Sequence, residues 1–146
     1  MGYTTEFQGQ FDLDRELDED TYTFLCKLND TRRVKRNVGS EYGIEGEFYA
    51  EDDNNGVIDY NNPPGTQPGL WCGWVPTDDK LAIEWDQGEK FYDYIDWIKY
   101  IIEKILSPKG YVLNGTVIWR GEAFDDIGKI IVCNNEVTYK RISIED

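Results

Sequence analysis

A chain of 146 residues has the length of one domain, and its 40% apolar and 14% aromatic content is enough to bury a core, which excludes global disorder. Its 29 acidic and 15 basic residues give a net charge of −14, which argues against direct binding to nucleic acid or to an anionic membrane surface. We therefore predict one domain over residues 1–146.

The compartment is indicated by what the chain lacks and by its cysteines. No segment has the ~18 consecutive apolar residues of a membrane helix, and the N-terminal segment lacks the basic and apolar regions of a signal peptide. Cys26, Cys72 and Cys133 are too far apart for a CxxC pair, and three free thiols are typical of a reducing compartment. We expect no membrane association and a location in the cytoplasm.

The first half of the chain predicts strands around one helix. Apolar and polar residues alternate over 3–13, which is typical of a half-buried strand. An acidic turn leads to Asp18, a suitable N-cap for a helix that we predict to run to about Arg33. Two more predicted strands, 44–50 and 57–60, flank an acidic segment.

The second half predicts a hairpin, a long helix and a three-stranded meander. Segments 70–76 and 80–86 are apolar runs joined by a short polar turn, as in a β-hairpin. Apolar residues recur every three to four positions through 89–107, which predicts the strongest helix of the chain. Further strands are predicted over 111–121, 127–133 and 136–142.

This order of elements predicts the fold class. Short links between successive strands require antiparallel pairing. We predict an α+β fold with a single twisted antiparallel sheet of six to eight strands and two helices. The long helix, 89–107, is expected to pack on the apolar face of the sheet.

The acidic segment resembles part of a calcium-binding loop. Glu51, Asp53 and Asn55 would take ligand positions 1, 3 and 5, and Gly56 would take position 6. The twelfth position is Asn62, a neutral oxygen where the motif needs a bidentate glutamate, and the predicted flanks are not helices. We therefore favour an acidic turn over a specific calcium site and expect no bound metal.

Most common enzyme chemistries are disfavoured by composition. The chain has no histidine, which removes histidine bases, triads and metal ligands, and it has neither a phosphate-binding glycine loop nor a GxSxG elbow. Carboxylate chemistry stays open, because Glu84 and Asp86 point to the same side of a predicted strand and could act as acid and base or hold Mg²⁺. The alternative is a solvent-facing strand surface. We favour a non-enzymatic protein and expect no cofactor.

Two tryptophans mark a candidate binding region. In the predicted strand 70–76, Trp74 lies on one face and Trp71 on the other, and both faces are apolar. A central strand covered on both sides would explain this pattern. The alternative is that an exposed tryptophan contacts a partner, because tryptophan is enriched at binding hot spots.

Four basic residues near the end of the predicted first helix form a candidate anion site. They are Arg32, Arg33, Lys35 and Arg36. Beside aromatic residues they could bind a nucleotide phosphate. The alternative is that they stabilise the C-terminal end of the helix through its dipole.

The acidity could itself be functional. Acidic runs occur over 12–20, 41–53 and 122–126. Carboxylates along one edge of a compact protein could occupy the basic groove of a nucleic-acid enzyme, since DNA presents a similar line of negative charge. The alternative is that the acidity provides solubility only.

Several stretches of the chain resemble a set of small uncharacterised proteins encoded by bacteriophages and prophages. The stretches are MGYTTEF, QPGLWCGW, IEWDQGEKFYDYIDWIKYII, GYVLNGTVIWRGE and DIGKIIV. The resemblance implies an accessory protein made during infection or from a prophage, and no residue role carries over from it. Small phage proteins of this kind often inhibit host enzymes or defence systems, which is an analogy of context.

Together with the resemblance, these features predict a small acidic phage-type protein of the bacterial cytoplasm that binds a host or phage protein and inhibits or modulates it. An anti-defence role or mimicry of nucleic acid is a candidate, and the partner could itself bind nucleic acid. The expected contacts are Trp71, Trp74, Glu84 and Asp86. One alternative is a small-ligand binder, for example of nucleotides, that uses the bases of residues 32–36. A second alternative is a carboxylate or metal-dependent enzyme.

Overall fold

The computed structural model describes residues 3–142. Within them the chain forms eight strands and two α-helices. In chain order these are β1 (Glu6–Leu13), α1 (Glu19–Asp30), β2 (Lys35–Arg36), β3 (Val57–Asp59), β4 (Trp74–Pro76), β5 (Ala82–Trp85), α2 (Tyr94–Ile101), β6 (Leu113–Arg120), β7 (Ile127–Cys133) and β8 (Glu136–Arg141).

The predicted α+β fold with a main antiparallel sheet is confirmed. Six strands pair in the order β4-β5-β1-β6-β7-β8, and every neighbouring pair is antiparallel. β2 and β3 form a separate two-stranded sheet. β1 is therefore an interior strand of the sheet, because two later strands, β5 and β6, pair with its two edges.

The last three strands agree with their prediction. The side chains of Leu113, Val117 and Trp119 share the buried face of β6, as the alternating pattern requires. Asn134 and Asn135 join β7 to β8 with φ angles of 48° and 70°. Two successive positive φ values match the twist of a two-residue hairpin, and asparagine tolerates them better than most residues.

Helix α1 begins where the sequence predicts and ends earlier. The Asp18 carboxylate accepts a 2.8 Å hydrogen bond from the backbone N–H of Thr21, which caps the first turn. The helix ends at Asp30, because Thr31 is extended and its hydroxyl donates to the Lys27 carbonyl. The prediction of helix to Arg33 was therefore wrong by about one turn.

Helix α2 begins later than predicted. Segment 89–93 is not helical, because Lys90 and Asp93 have left-handed backbones with φ of 60° and 59°. After Ile101 the chain continues as a π-helical turn, Ile102–Leu106, and a 3₁₀ turn, Ser107–Lys109.

The predicted strand over 44–50 was wrong, and segment 70–76 is a strand only from Trp74. In place of the first strand the chain forms two 3₁₀ turns, Ser40–Tyr42 and Ile44–Gly46. The backbone carbonyls of Glu47 and Tyr49 accept hydrogen bonds from the Arg33 side chain, so they are not available for a strand ladder.

The core lies between one face of the main sheet and α2, as predicted for the long helix. Phe7 of β1 packs against Tyr94 and Trp74, with ring centroids 5.0 and 5.3 Å apart. Trp97 and Ile98 of α2 are fully buried in the same cluster. Within residues 3–142, no helix combines the length and the apolar character required to span a bilayer.

Candidate functional site

The predicted anion site is not assembled, because two of its arginines serve the interior. Arg33 is only 1% exposed. Its guanidinium donates to the carbonyls of Glu47 and Tyr49, at 2.9 and 2.7 Å, and to the Gln67 side chain at 3.3 Å. Burial lowers the pKa of Arg33 to about 10. The carbonyl dipoles around it replace the water that a cation loses on burial.

The side chain of Arg36 lies among the oxygen atoms of segment 51–62, which resembles a calcium loop. Its guanidinium donates to the backbone carbonyls of Glu51, Asp53 and Asn55 and to the Asp53 carboxylate. These are the oxygen types that would bind calcium. A guanidinium held among them opposes the entry of a second cation by charge repulsion, which is the physical reason to interpret this loop as an arginine-bound turn.

The other two bases are also engaged locally. Arg32 donates to the Tyr60 carbonyl at 3.1 Å and lies over the Tyr60 ring. Lys35 is 3.9 Å from the Glu45 carboxylate. None of the four predicted bases therefore converges with another on a shared pocket.

Glu84 lies within β5, whereas Asp86 lies just beyond its end and is engaged there. Asp86 accepts hydrogen bonds from the Asn29 amide at 2.9 Å and from the Gly88 N–H at 2.7 Å, so it holds a turn beyond β5. Glu84 lies on β5 opposite Val75. Among the described residues there is no cluster of three or more histidine, cysteine, aspartate or glutamate side chains suited to a metal ion.

Trp71 and Trp74 differ in their exposure to solvent. Trp74 is 1% exposed, packs against Phe11 and Phe91, and donates its indole N–H to the Tyr94 carbonyl at 2.8 Å. It is a core residue and is not available to a partner. Trp71 is 51% exposed, so it alone of this pair can act at the surface.

Trp71 lines a groove of about 510 Å³, which we call the Trp71 groove. Tyr92, also 51% exposed, lines the same groove. The remaining lining residues are Gly69, Leu70, Glu89, Lys90 and Asp93. Two half-exposed aromatic side chains, two carboxylates and one ammonium group thus share one concave surface with a net negative charge. Aromatic side chains with a few charged groups are typical of binding sites.

The backbone beside the Trp71 groove is unusual. Gln87, Lys90 and Asp93 all have positive φ, between 59° and 70°, although none is glycine. Such conformations cost about 1–3 kcal/mol each and cluster at functional sites. They occur in the connection between β5 and α2, in which Phe91 enters the core while Tyr92 stays at the surface.

Asp93 is an uncommitted carboxylate at this site. It occupies the N-cap position of α2 but makes no side-chain capping bond, and no described residue donates to its carboxylate. Partial burial and the nearby Asp96 raise the pKa of its carboxyl. The fully buried Trp97 also lacks a partner for its indole N–H among the described residues, and both groups lie close to Gly69.

The Trp71 groove has the chemistry to accept a cationic side chain. A guanidinium or ammonium can stack on the face of Trp71 or Tyr92 while Asp93 or Glu89 supplies the opposite charge. Sequence reasoning found Trp71 but missed Tyr92 and Asp93, because they belong to a segment predicted as helix. The adjacent charge and aromatic residues in EKFYD were the available signal.

Comparisons of this chain with protein-family models, with curated proteins and with solved structures give no match.

Proposed function

We propose that this chain is a non-enzymatic binding protein of the phage type. In this proposal it acts in the bacterial cytoplasm on a host or phage protein and modulates it. The basic surface of a nucleic-acid-binding protein would suit its net charge of −14. The Trp71 groove is the proposed contact, and a lysine or arginine side chain of the partner is the proposed occupant.

The observation that carries the proposal is the exposure of Trp71 and Tyr92 in one groove whose two carboxylates outnumber its one ammonium group. Exposed tryptophan and tyrosine supply much of the binding energy at protein interfaces. The carboxylates supply orientation and charge complementarity, which speed the encounter with a basic partner. The strained backbone at Lys90 and Asp93 further favours a functional role for this segment.

The alternatives receive less support. A nucleotide site built on residues 32–36 would need Arg33 and Arg36 at the surface, and both are engaged inside the molecule. A carboxylate enzyme built on Glu84 and Asp86 would need both carboxylates to be free in one cleft, and Asp86 instead accepts hydrogen bonds from Asn29 and Gly88. We therefore carry neither of these two arrangements further.

A capture experiment tests the proposal. Tagged protein is incubated with bacterial lysate at low and at high salt, and bound proteins are identified by mass spectrometry. We expect one stoichiometric partner at low salt that is lost at high salt, because salt screens exposed charges. Trp71→Ala combined with Tyr92→Ala should abolish the capture.

Tyr139→Ala is the matched control, because Tyr139 is 59% exposed on β8 and lies outside the Trp71 groove. It should leave the capture unchanged. Equal capture by the double variant and the native chain would overturn the assignment of the groove. Capture that resists high salt would overturn the role of charge.

A further inference from the structure

A second concave surface shares no lining residue with the Trp71 groove and does not depend on the proposed partner. It has a volume of about 380 Å³ and lies between α1, the 3₁₀ turns after β2 and the π-helical turn after α2. We call it the α1 groove. Its walls include Phe24, Tyr42, Phe48, Lys104, Ile105 and Lys109.

The body of the α1 groove is aromatic and only partly covered. Phe24 and Phe48 meet edge to face with ring centroids 6.2 Å apart, and both are half-buried. Tyr42 is exposed at the rim and packs its ring edge to face against Tyr49 at 5.1 Å. Such a surface can receive a planar apolar group by stacking and edge contacts.

The π-helical turn contributes two residues to this groove. Ile102–Leu106 is wound more widely than the α-helix before it, and it carries both Lys104 and Ile105. A π-turn is rare and occurs frequently at functional sites. Here Ile105 is buried in the core while Lys104 stays exposed, so one turn anchors the groove and supplies its charge.

The residues that line the α1 groove include two lysines and one glutamate, although the molecule as a whole is strongly acidic. The ammonium of Lys109 donates to the Thr21 hydroxyl at 2.9 Å, which holds it at the wall. Lys104 lines the same wall. Glu41 is the acidic residue among the described lining residues. The Asp18 carboxylate accepts from the backbone N–H and from the same hydroxyl of Thr21, and its pKa is lowered mainly by that N–H and in smaller part by the nearby Lys109 ammonium. Lys109 is therefore partly compensated, and within residues 3–142 Lys104 is not.

The depression next to the α1 groove does not add free positive charge to it. A smaller depression of about 300 Å³ shares Phe24, Tyr42 and Phe48 with the α1 groove. It contains Lys27, but the Lys27 ammonium is 2.6 Å from the Glu51 carboxylate. That pair is internally compensated, so Lys104, together with the partly compensated Lys109, is the ammonium group that an anion in the α1 groove would meet.

From this arrangement we infer that the α1 groove binds a small molecule with a planar aromatic body and one carboxylate or phosphate group. The aromatic body contacts Phe24, Tyr42 and Phe48, and the anionic group lies at Lys104 and Lys109. An ammonium group is a point donor that suits either anion.

The test uses three probes that share one ring system, namely 2-naphthoate, 2-naphthyl phosphate and the neutral 2-naphthol. Each is titrated into the full chain labelled with ¹⁵N, and amide shifts give both affinity and location. We expect both anions to shift amides of the groove and to bind about tenfold more tightly than naphthol, as hydrogen bonds to charged groups require. The comparison of the two anions distinguishes a carboxylate from a phosphate ligand.

Lys104→Gln combined with Lys109→Gln should reduce anion affinity to that of naphthol and leave naphthol affinity unchanged. The matched control is Lys129→Gln with Lys140→Gln, which removes the same charge from β7 and β8 and should change nothing. Equal binding of the three probes, or shifts that map outside the α1 groove, would overturn the inference. Because the probes are not proteins, this outcome is independent of the capture experiment with the Trp71 groove.

Discussion

Arg36 donates to Asp53 twice, to its backbone carbonyl at 3.0 Å and to its carboxylate at 3.3 Å. The same carboxylate accepts from the Asn55 N–H and from the Tyr49 hydroxyl, both at 2.9 Å. These bonds lower the pKa of the Asp53 carboxyl, with the Asn55 N–H as the largest cause. A buried cation thus organises the acidic loop from its centre.

The first prediction concerns the stability that Arg36 provides. Arg36→Ala should lower the free energy of unfolding by about 2–3 kcal/mol, because it leaves several loop carbonyls without their charged donor. The measurement is urea unfolding followed by circular dichroism. Arg32→Ala is the control and should cost at most about 1 kcal/mol, since Arg32 is half-buried and contacts Tyr60 through one carbonyl hydrogen bond and its ring. Equal losses for the two variants would contradict this role of Arg36.

The second prediction concerns calcium. In Arg36→Ala the loop oxygens of Glu51, Asp53 and Asn55 lose a resident cation, so calcium should raise the thermal unfolding midpoint of the variant. In the native chain calcium should leave the midpoint unchanged at the same ionic strength. Arg36→Ala combined with Asp53→Asn should lose the calcium response. A calcium effect on the native chain that matches the variant would show that the guanidinium does not block the loop.

A third prediction follows from the buried tyrosines. Burial raises the pKa of Tyr94 to about 12, and it raises the pKa of Tyr100 further above the ordinary value of 10.0. Folding therefore keeps these hydroxyls protonated where the unfolded chain loses its protons. Their contribution to stability is complete below pH 10 and is lost as the pH rises through about 12.

Arg33 acts with the opposite sign in the same window, because burial lowers its pKa and the unfolded chain binds the proton more tightly. Two tyrosines outweigh one arginine, so we expect net loss of stability above pH 10. The check is tyrosinate absorbance against pH, in which a late group of tyrosines should ionise together with unfolding. Tyr100→Phe should reduce that late amplitude; independent titration of all tyrosines without unfolding would refute the expectation.

A fourth prediction uses the unequal exposure of the tryptophans. Trp71 is 51% exposed, whereas Trp74 and Trp97 are at most 1% exposed. Acrylamide, a neutral quencher that the acidic surface does not repel, should therefore quench a minor component of the tryptophan fluorescence, and Trp71→Phe should remove most of that component. Trp85→Phe is a suitable control, since Trp85 is half-buried and donates to the Gly88 carbonyl. Unchanged quenching in Trp71→Phe would place Trp71 in the interior.

Local sequence signals were sufficient where local interactions decide the structure. The Asp18 cap, the alternation through β6 and the Asn134–Asn135 turn need only neighbours in the chain. Local signals were insufficient to predict the structure over 44–50, where the Arg33 side chain binds the carbonyls that a strand would use. This competitor is distant in sequence, so no local pattern reveals it.

The candidate site could be predicted from the sequence only in part, for a related reason. The alternation over 70–76 correctly put Trp71 and Trp74 in different environments, but it did not tell which side was buried. Asp93 lies in a segment with helical periodicity, and only its left-handed backbone removes it from the helix. Arg33 and Arg36 were interpreted as surface charge because buried guanidinium groups are rare unless the fold supplies acceptors around them.

The contacts of Arg33 also bear on how the chain folds. Its side chain and backbone bind Glu47, Tyr49, Gln67 and Leu70, which belong to a long excursion that makes no pairing with the main sheet. This excursion can reach its native form only when Arg33, just after α1, is in place to donate hydrogen bonds to its carbonyls. It should therefore form and dissolve in one cooperative event with the core, so that its most protected amides exchange with deuterium as slowly as those of β1 and β6.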